Sequence, residues 1–131
     1  MAGAGVAALL GAVLAVGVGA FAGGLLRGLL RHRPGGLAGT LVANLTACLA
    51  LGLILGSGLG TGEAPPGETL WQLALGTGFC GALSTWSTLA GELGSLLRER
   101  SWNRLAGYLT ATLGAGLGLI WFGWQLGGLL G

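Results

Sequence analysis

Uncharged polar side chains recur at helical spacing in a chain that is otherwise strongly apolar. Thr40 and Asn44 lie four residues apart, and so do Tyr108 and Thr112, so each pair would share one face of a helix. Between them, the stretch GFCGALSTWST at residues 78–88 combines glycines with a cluster of hydroxyl groups. Hydroxyl and amide groups can take over from the hydration shell of a small ion without the deep energy well of a full charge. The pattern favours a polar pathway for an ion.

Each of these residues also has a purely structural explanation. A serine or threonine hydroxyl can bond to a carbonyl of its own helix, and an asparagine can bridge two helices. For one isolated hydroxyl this explanation is the better one. Three segments each carry a polar stripe, and that repetition favours a lined pathway. The stripes are Thr40, Asn44 and Cys48; Thr77, Ser84, Thr85, Ser87 and Thr88; and Tyr108 with Thr112.

The glycines of the central stretch predict a break in a helix. Gly76, Gly78 and Gly81 each weaken a helix by about 1 kcal/mol relative to alanine. Irregular backbone at membrane depth persists only where it is buried in protein or lines a cavity. The carbonyl oxygens that a break frees can bind Na⁺, while the freed N–H groups favour anions. The stretch therefore predicts an ion-handling element.

The elements that would position these residues are membrane helices. Of the 131 residues, 53% are hydrophobic and 8% are charged, whereas soluble domains carry about 25% charged residues. Charged residues divide the chain into four apolar runs, and a transmembrane helix needs about 20 such residues. We therefore predict an all-α integral membrane protein with a single domain over residues 1–131. Its four transmembrane helices would cover about residues 3–30, 36–60, 69–97 and 103–129, with the third broken near its middle.

The first run is expected to remain as a mature helix and not to act as a signal peptide, because no basic residue precedes Arg27. Its glycines, and those of the other runs, predict close helix packing. A small four-helix chain would need a second copy to enclose a pathway. The GxxxG pairs are Gly19/Gly23, Gly24/Gly28, Gly52/Gly56, Gly56/Gly60, Gly114/Gly118 and Gly123/Gly127.

The loop charges predict an orientation. All six arginines fall on the membrane side that holds the first and third loops, whereas the second loop, on the other side, carries Glu63 and Glu68 and no basic residue. Short loops rich in arginine stay in the cytoplasm, so both termini are expected outside. The arginines are Arg27, Arg31, Arg33, Arg98, Arg100 and Arg104.

Three stretches resemble the Fluc (CrcB) family of fluoride channels. GFCGALSTWST resembles the family signature, which is close to GFCGGxTTFSTF. GTLVANLTACLALG at 39–52 and GAFAGGLLRGLLR at 19–31 resemble the family's second helix and the end of its first. The Tyr108–Thr112 spacing resembles its fourth helix, so the resemblance covers nearly the whole chain.

The resemblance implies a fold and a function. Family members form antiparallel dimers with two fluoride pores, and backbone carbonyls at the third-helix breaks hold a structural Na⁺ that is not transported. The matching carbonyls belong to Gly81 and Ser84, and Arg27 occupies the vestibule position. The matching pore-lining residues are Thr40, Asn44, Trp86, Ser87, Thr88, Tyr108 and Thr112, with Glu92 late in the third helix.

Two family phenylalanines, which face the anion with their ring edges, are replaced here. Trp86 keeps a ring edge and adds an indole N–H, whereas Leu89 has neither. An antiparallel homodimer requires insertion in both orientations, which the arginine bias opposes. We therefore expect a heterodimer with a homologous, oppositely oriented subunit, with a homodimer as the second choice.

Passive export of fluoride across the bacterial plasma membrane by a multi-pass protein is the expected function. The alternatives are a non-conducting assembly protein or a half-channel subunit. A small multidrug exporter would need a carboxylate deep in a span, and the first run has none. The chain offers no nucleophile–base or metal-ligand set for an enzyme and no pattern for nucleic-acid binding.

Overall fold

The computed structural model describes residues 2–58 and 66–131, with side chains in the second range from residue 69 onward. The predicted end of the second helix at residue 60 falls outside these residues. Gly60, Glu63 and the side chain of Glu68 fall outside them too.

All regular structure in the described residues is helical, and these residues contain no strand. The all-α expectation is confirmed. Helices dominate because lipid offers no hydrogen bonds, so the backbone must satisfy its own N–H and C=O groups within each segment. In chain order the helices are α1 (Ala2–Leu30), α2 (Gly36–Gly56), α3 (Pro66–Gln72), a π-helical segment (Leu73–Cys80), α4 (Gly81–Leu83), α5 (Trp86–Arg98) and α6 (Trp102–Leu130).

Among the described residues, two helical stretches are long and apolar enough to cross a membrane, judged by length and composition. One is α6, with 29 residues, and the other is Ala2–Gly56, with 55 residues. The longer stretch consists of α1 and α2 joined at Arg31–Gly35, where Arg33 leaves the helical conformation at φ −143° and ψ 114°. The third apolar run is divided among α3, the π-helical segment, α4 and α5, so the count of four spans stays a prediction.

Among the described residues, backbones of neighbouring helices approach closely at several glycines, most extensively along two helix pairs. In the first pair, α1 packs on the π-helical segment, and a Cβ added to Gly23 would collide with the carbonyl of Phe79. In the second pair, α2 packs on α6, and a Cβ on Gly123 would lie 2.6 Å from the carbonyl oxygen of Leu49. Two predicted glycine pairs, Gly24/Gly28 and Gly114/Gly118, meet nothing within 4 Å and therefore mediate no helix contact within the described chain.

Two apolar clusters hold the third run in place. In the first, Cys80 and Leu83 pack against Ala43 and Ala47 of α2. In the second, Leu89 and Leu96 of α5 pack against Tyr108 of α6. Leu37, Leu41 and Leu105 surround this second cluster.

The outer surface of the bundle is apolar. Leu14, Phe21 and Leu117 are 67%, 70% and 69% exposed, and many other large apolar side chains are exposed with them. A soluble monomer rarely exposes apolar area on this scale. The surface suits lipid, which agrees with the membrane location predicted from composition.

Candidate functional site

The third run changes conformation between α4 and α5. Ser84 (φ −71°, ψ 149°) and Thr85 (φ −145°, ψ 108°) both have extended backbones. Thr85 caps the N-terminus of α5, because its Oγ1 accepts a hydrogen bond from the backbone N–H of Thr88 at 3.3 Å. The same hydroxyl donates to Oγ1 of Thr88 at 2.9 Å. The hydroxyl-rich sequence therefore stabilises a helix start at this point.

Asn44 of α2 satisfies a backbone group that the extended conformation exposes. The N–H of Thr85 donates to Oδ1 of Asn44 at 2.8 Å, and both residues are buried. Only the amide oxygen can accept this bond, so the amide orientation is determined by the contact. The amide nitrogen of Asn44 remains a donor, and it makes no hydrogen bond among the described residues.

Two carbonyls lose their helical partners at the same place. In a continuous helix the carbonyl of Gly81 would accept from the N–H of Thr85, and that of Ser84 from the N–H of Thr88. These two N–H groups donate instead to Asn44 and to the Thr85 hydroxyl. Gly81 keeps only a long bond from the Ser84 hydroxyl, at 3.5 Å. Free carbonyl oxygens can coordinate a hard cation such as Na⁺, so the carbonyls of these two residues are chemically suited to the predicted ion.

Glu92 joins three helices. Its Oε1 accepts a hydrogen bond from the Thr40 hydroxyl of α2 at 2.7 Å. Its Oε2 accepts one from the Tyr108 hydroxyl of α6 at 2.5 Å. Hydrogen bonds to a carboxylate are about twice as strong as neutral ones. Sequence reasoning assigned these three residues to separate helices and did not predict their contact, because they lie far apart in the chain.

One pocket, which we call the arginine pocket, has a volume of about 480 Å³. It lies beside the bend between α1 and α2, and its polar lining brings two guanidinium groups near several hydroxyl groups and one carboxylate. Its polar residues are Arg27, Arg31, Thr40, Thr85, Ser87, Thr88 and Glu92. The two guanidinium groups in its lining favour the entry of an anion.

A second, smaller pocket, which we call the amide pocket, has a volume of about 240 Å³ and a mostly apolar lining. Asn44 and Thr112 contribute polar groups to it, and the Thr112 hydroxyl is buried without a partner among the described residues. Trp86 lines it with a side chain that is 78% exposed. Leu89 lines it from the core side. Thr85 borders both pockets, so the helix interruption lies between them.

Most of the predicted residues line one of two pockets, which share Thr85. Arg27, Thr40, Ser87, Thr88 and Glu92 lie at the arginine pocket. The amide pocket receives Asn44, Ser84, Trp86, Leu89 and Thr112.

Two predicted residues line neither pocket. Tyr108 is buried and reaches the arginine pocket only through its bond to Glu92. Gly81 is exposed on the outside of the bundle, at the start of α4.

An apolar exterior, helices throughout the described residues and polar groups gathered between them define a helical membrane protein. A model of the family described as CrcB-like protein, Camphor Resistance (CrcB), matches residues 14–124. The chain belongs to this family, which confirms the resemblance seen in its motifs.

Similar proteins carry a functional name. A protein of Corynebacterium diphtheriae named fluoride-specific ion channel FluC 2 is 60% identical over 53 residues, which are 40% of this chain and 51% of that protein. The fluoride-specific ion channel FluC 1 of Geobacillus kaustophilus is 41% identical over 56 residues, which are 43% of this chain and 48% of that protein. The chain spans about half the length of these curated relatives. They are named as channels and not as enzymes, in agreement with the sequence analysis.

Proposed function

We propose that the chain is a subunit of a fluoride-specific channel that lowers cytoplasmic fluoride by passive export. Its relatives carry that name, and it belongs to their family. The observation that carries the proposal is the amide pocket. Two polar groups in its lining, the Asn44 amide nitrogen and the Thr112 hydroxyl, make no hydrogen bond among the described residues, and both are uncharged donors.

Donors of this kind suit fluoride, which is small and strongly hydrated. An ion that leaves water needs replacement hydrogen bonds, yet conduction also requires that it can leave again. Neutral donors satisfy both needs. The exposed ring of Trp86 adds an indole N–H and a partially positive edge at the rim of the amide pocket.

The arginine pocket would act as the vestibule. Arg27 and Arg31 raise the local anion concentration, and the hydroxyls of Ser87 and Thr88 offer the next donors inward. Glu92 already accepts two hydrogen bonds, from Thr40 and Tyr108. Thr85 lines both pockets, which supports their being successive parts of one pathway.

A structural Na⁺ would bind to the free carbonyls of Gly81 and Ser84. The ion would supply a fixed positive charge that holds the interrupted helix in its extended form. Two carbonyls are too few for a cation, and Gly81 is exposed on the outside of the bundle. The same two carbonyls of an antiparallel second subunit would complete the ligand set.

We further propose that both termini of this chain lie outside and that the second subunit is a homologue inserted in the opposite orientation. The arginine bias opposes dual insertion. Leu89 supplies no ring edge to the amide pocket, so a partner with an aromatic residue would supply it. Reporters fused to the C-terminus test this: equal populations in the two orientations would exclude it.

Fluoride efflux from liposomes containing the purified chain, read with a fluoride electrode and with chloride as control, tests the channel. Fast fluoride-only efflux from the chain alone supports a channel and a homodimer. Efflux that requires a co-expressed homologue supports the half-channel form. No efflux in either preparation would overturn the proposal in favour of a non-conducting assembly protein.

The pathway is tested with Thr112→Val, which removes a donor from the amide pocket. Loss of one hydrogen bond of about 1.4 kcal/mol lowers the efflux rate about tenfold. Thr110→Val is the matched control, because Thr110 is on the same helix, is exposed and lines neither pocket. Equal effects of the two substitutions would contradict the assigned path.

A further inference from the structure

One end of the bundle carries an exposed basic surface that the proposed pathway does not use. We call it the basic rim and define it by Arg33, Arg98, Arg100 and Trp102. All four side chains are exposed, and none of them lines either pocket.

The apolar cluster beneath the basic rim brings the segments that carry these four residues to the same end of the molecule. Leu37, near the start of α2, packs on the cluster that contains Leu96, near the end of α5. Leu105, near the start of α6, joins the same cluster. The segment before α2 and the turn between α5 and α6 therefore lie at one end, where the apolar runs stop.

Within the described part of the chain, the arginines of the basic rim have no carboxylate partner. Among the described residues the single ion pair joins Arg104 to Glu99, at 3.9 Å. Arg98 makes only a long contact of 3.5 Å to the hydroxyl of Ser95 on its own helix. Three guanidinium groups are thus available to a partner outside the chain.

Arg100 has a conformation that glycine would suit better. Its φ is 54°, in the left-handed region. Its N–H donates to the carbonyl of Leu97 at 3.1 Å, and the N–H of Ser101 donates to Leu96 at 3.0 Å, so α5 ends in a Schellman motif. Glycine is the usual residue at this position of the motif. An arginine here adds conformational strain, and it places a charged, exposed side chain at the end of α5.

We propose that the basic rim binds the phosphate groups of anionic phospholipids. Guanidinium groups pair with phosphate through two parallel hydrogen bonds. Trp102 is 59% exposed beside them, and tryptophan favours the headgroup level of a bilayer. The apolar exterior of the helices begins immediately beyond the basic rim, so a bound headgroup would place its acyl chains against that exterior. The proposal is independent of fluoride conduction.

Native mass spectrometry of the full chain tests this binding, with micelles that carry equal amounts of phosphatidylglycerol and phosphatidylcholine. The wild-type chain retains phosphatidylglycerol preferentially. Arg98→Gln/Arg100→Gln weakens its binding about 25-fold, since each arginine near an anionic membrane surface contributes about a fivefold change. Arg98→Lys/Arg100→Lys keeps the charge but loses the paired hydrogen bonds, so its binding lies between that of the wild-type chain and that of the glutamine variant. Size-exclusion profiles show that each variant is folded.

The matched control is Glu99→Gln/Arg104→Gln, which removes an ion pair from the same surface without changing the net charge. It leaves phosphatidylglycerol binding within about twofold, because the two charges cancel. Equal retention of the two lipids by the wild-type chain would overturn the proposal, and so would unchanged binding in the glutamine variant. Displacement of the lipid by millimolar inorganic phosphate would overturn it as well, because the surface would then be a site for free phosphate.

Discussion

Substitution of Tyr108 by phenylalanine isolates one hydrogen bond that joins α6 to α5. The change removes the hydroxyl that donates to Glu92 at 2.5 Å and leaves the buried ring in place, so it creates no cavity in the cluster with Leu89 and Leu96. Hydrogen bonds to charged groups contribute about 1.5–3 kcal/mol to stability. Glu92 is half-buried at the edge of the arginine pocket, where water can replace part of the bond. We expect Tyr108→Phe to lower the free energy of unfolding by about 1.5–2 kcal/mol.

Equilibrium unfolding in mixed micelles, followed by tryptophan fluorescence, measures this change. Thr110→Val is the control on the same helix, because Thr110 is exposed and donates no hydrogen bond to the carboxylate. A double-mutant cycle with Glu92→Gln adds a sharper test. If the bond depends on the charge of Glu92, the two substitutions are non-additive by about 1 kcal/mol. Additive effects, or a loss below about 0.5 kcal/mol for Tyr108→Phe, would refute the role of this contact.

Five further substitutions test the helix packing, the end of α5 and the helix interruption. Gly52→Ala, whose Cβ would collide with a carbonyl of α6, lowers stability by about 1–3 kcal/mol. Gly114 faces open space, so Gly114→Ala raises stability by up to about 1 kcal/mol. Equal losses of unfolding free energy in the Gly52→Ala and Gly114→Ala variants would contradict the α2–α6 contact. Arg100→Gly relieves a left-handed residue and raises stability by about 1 kcal/mol, and a lower unfolding midpoint would contradict this. Asn44→Asp keeps an oxygen acceptor for the N–H of Thr85 and therefore preserves folding, but it removes the amide donor and abolishes fluoride efflux. Asn44→Leu removes both the acceptor and the donor, so it loses folding and efflux. A conducting Asn44→Asp variant would exclude the amide nitrogen from the pathway.

The class of the protein could be predicted from local sequence. Apolar runs without charged residues predict helices because a backbone in lipid must satisfy its own hydrogen bonds. The motif GFCGALSTWST indicated the family, which the match over residues 14–124 confirms. The composition alone predicted the apolar exterior that the structure displays.

Glycine spacing predicted close packing but not its partners. Gly23 and Gly123 face neighbouring backbones, whereas Gly24 and Gly114 face open space, although all four belong to GxxxG pairs. The spacing indicates only that one side of a helix carries small residues. Which small side meets another helix depends on how the whole bundle assembles.

The chemistry of the polar groups was decided by tertiary structure. The sequence by itself determined which donors and carboxylates the chain contains and which of them share a helix face. It could not indicate that the Asn44 oxygen is occupied by Thr85, that its nitrogen is therefore left as the donor, or that Glu92 accepts from two other helices. Helix periodicity is set by neighbours along the chain, whereas these hydrogen bonds join residues up to 52 positions apart. Such contacts form only when packing between helices brings their polar faces together.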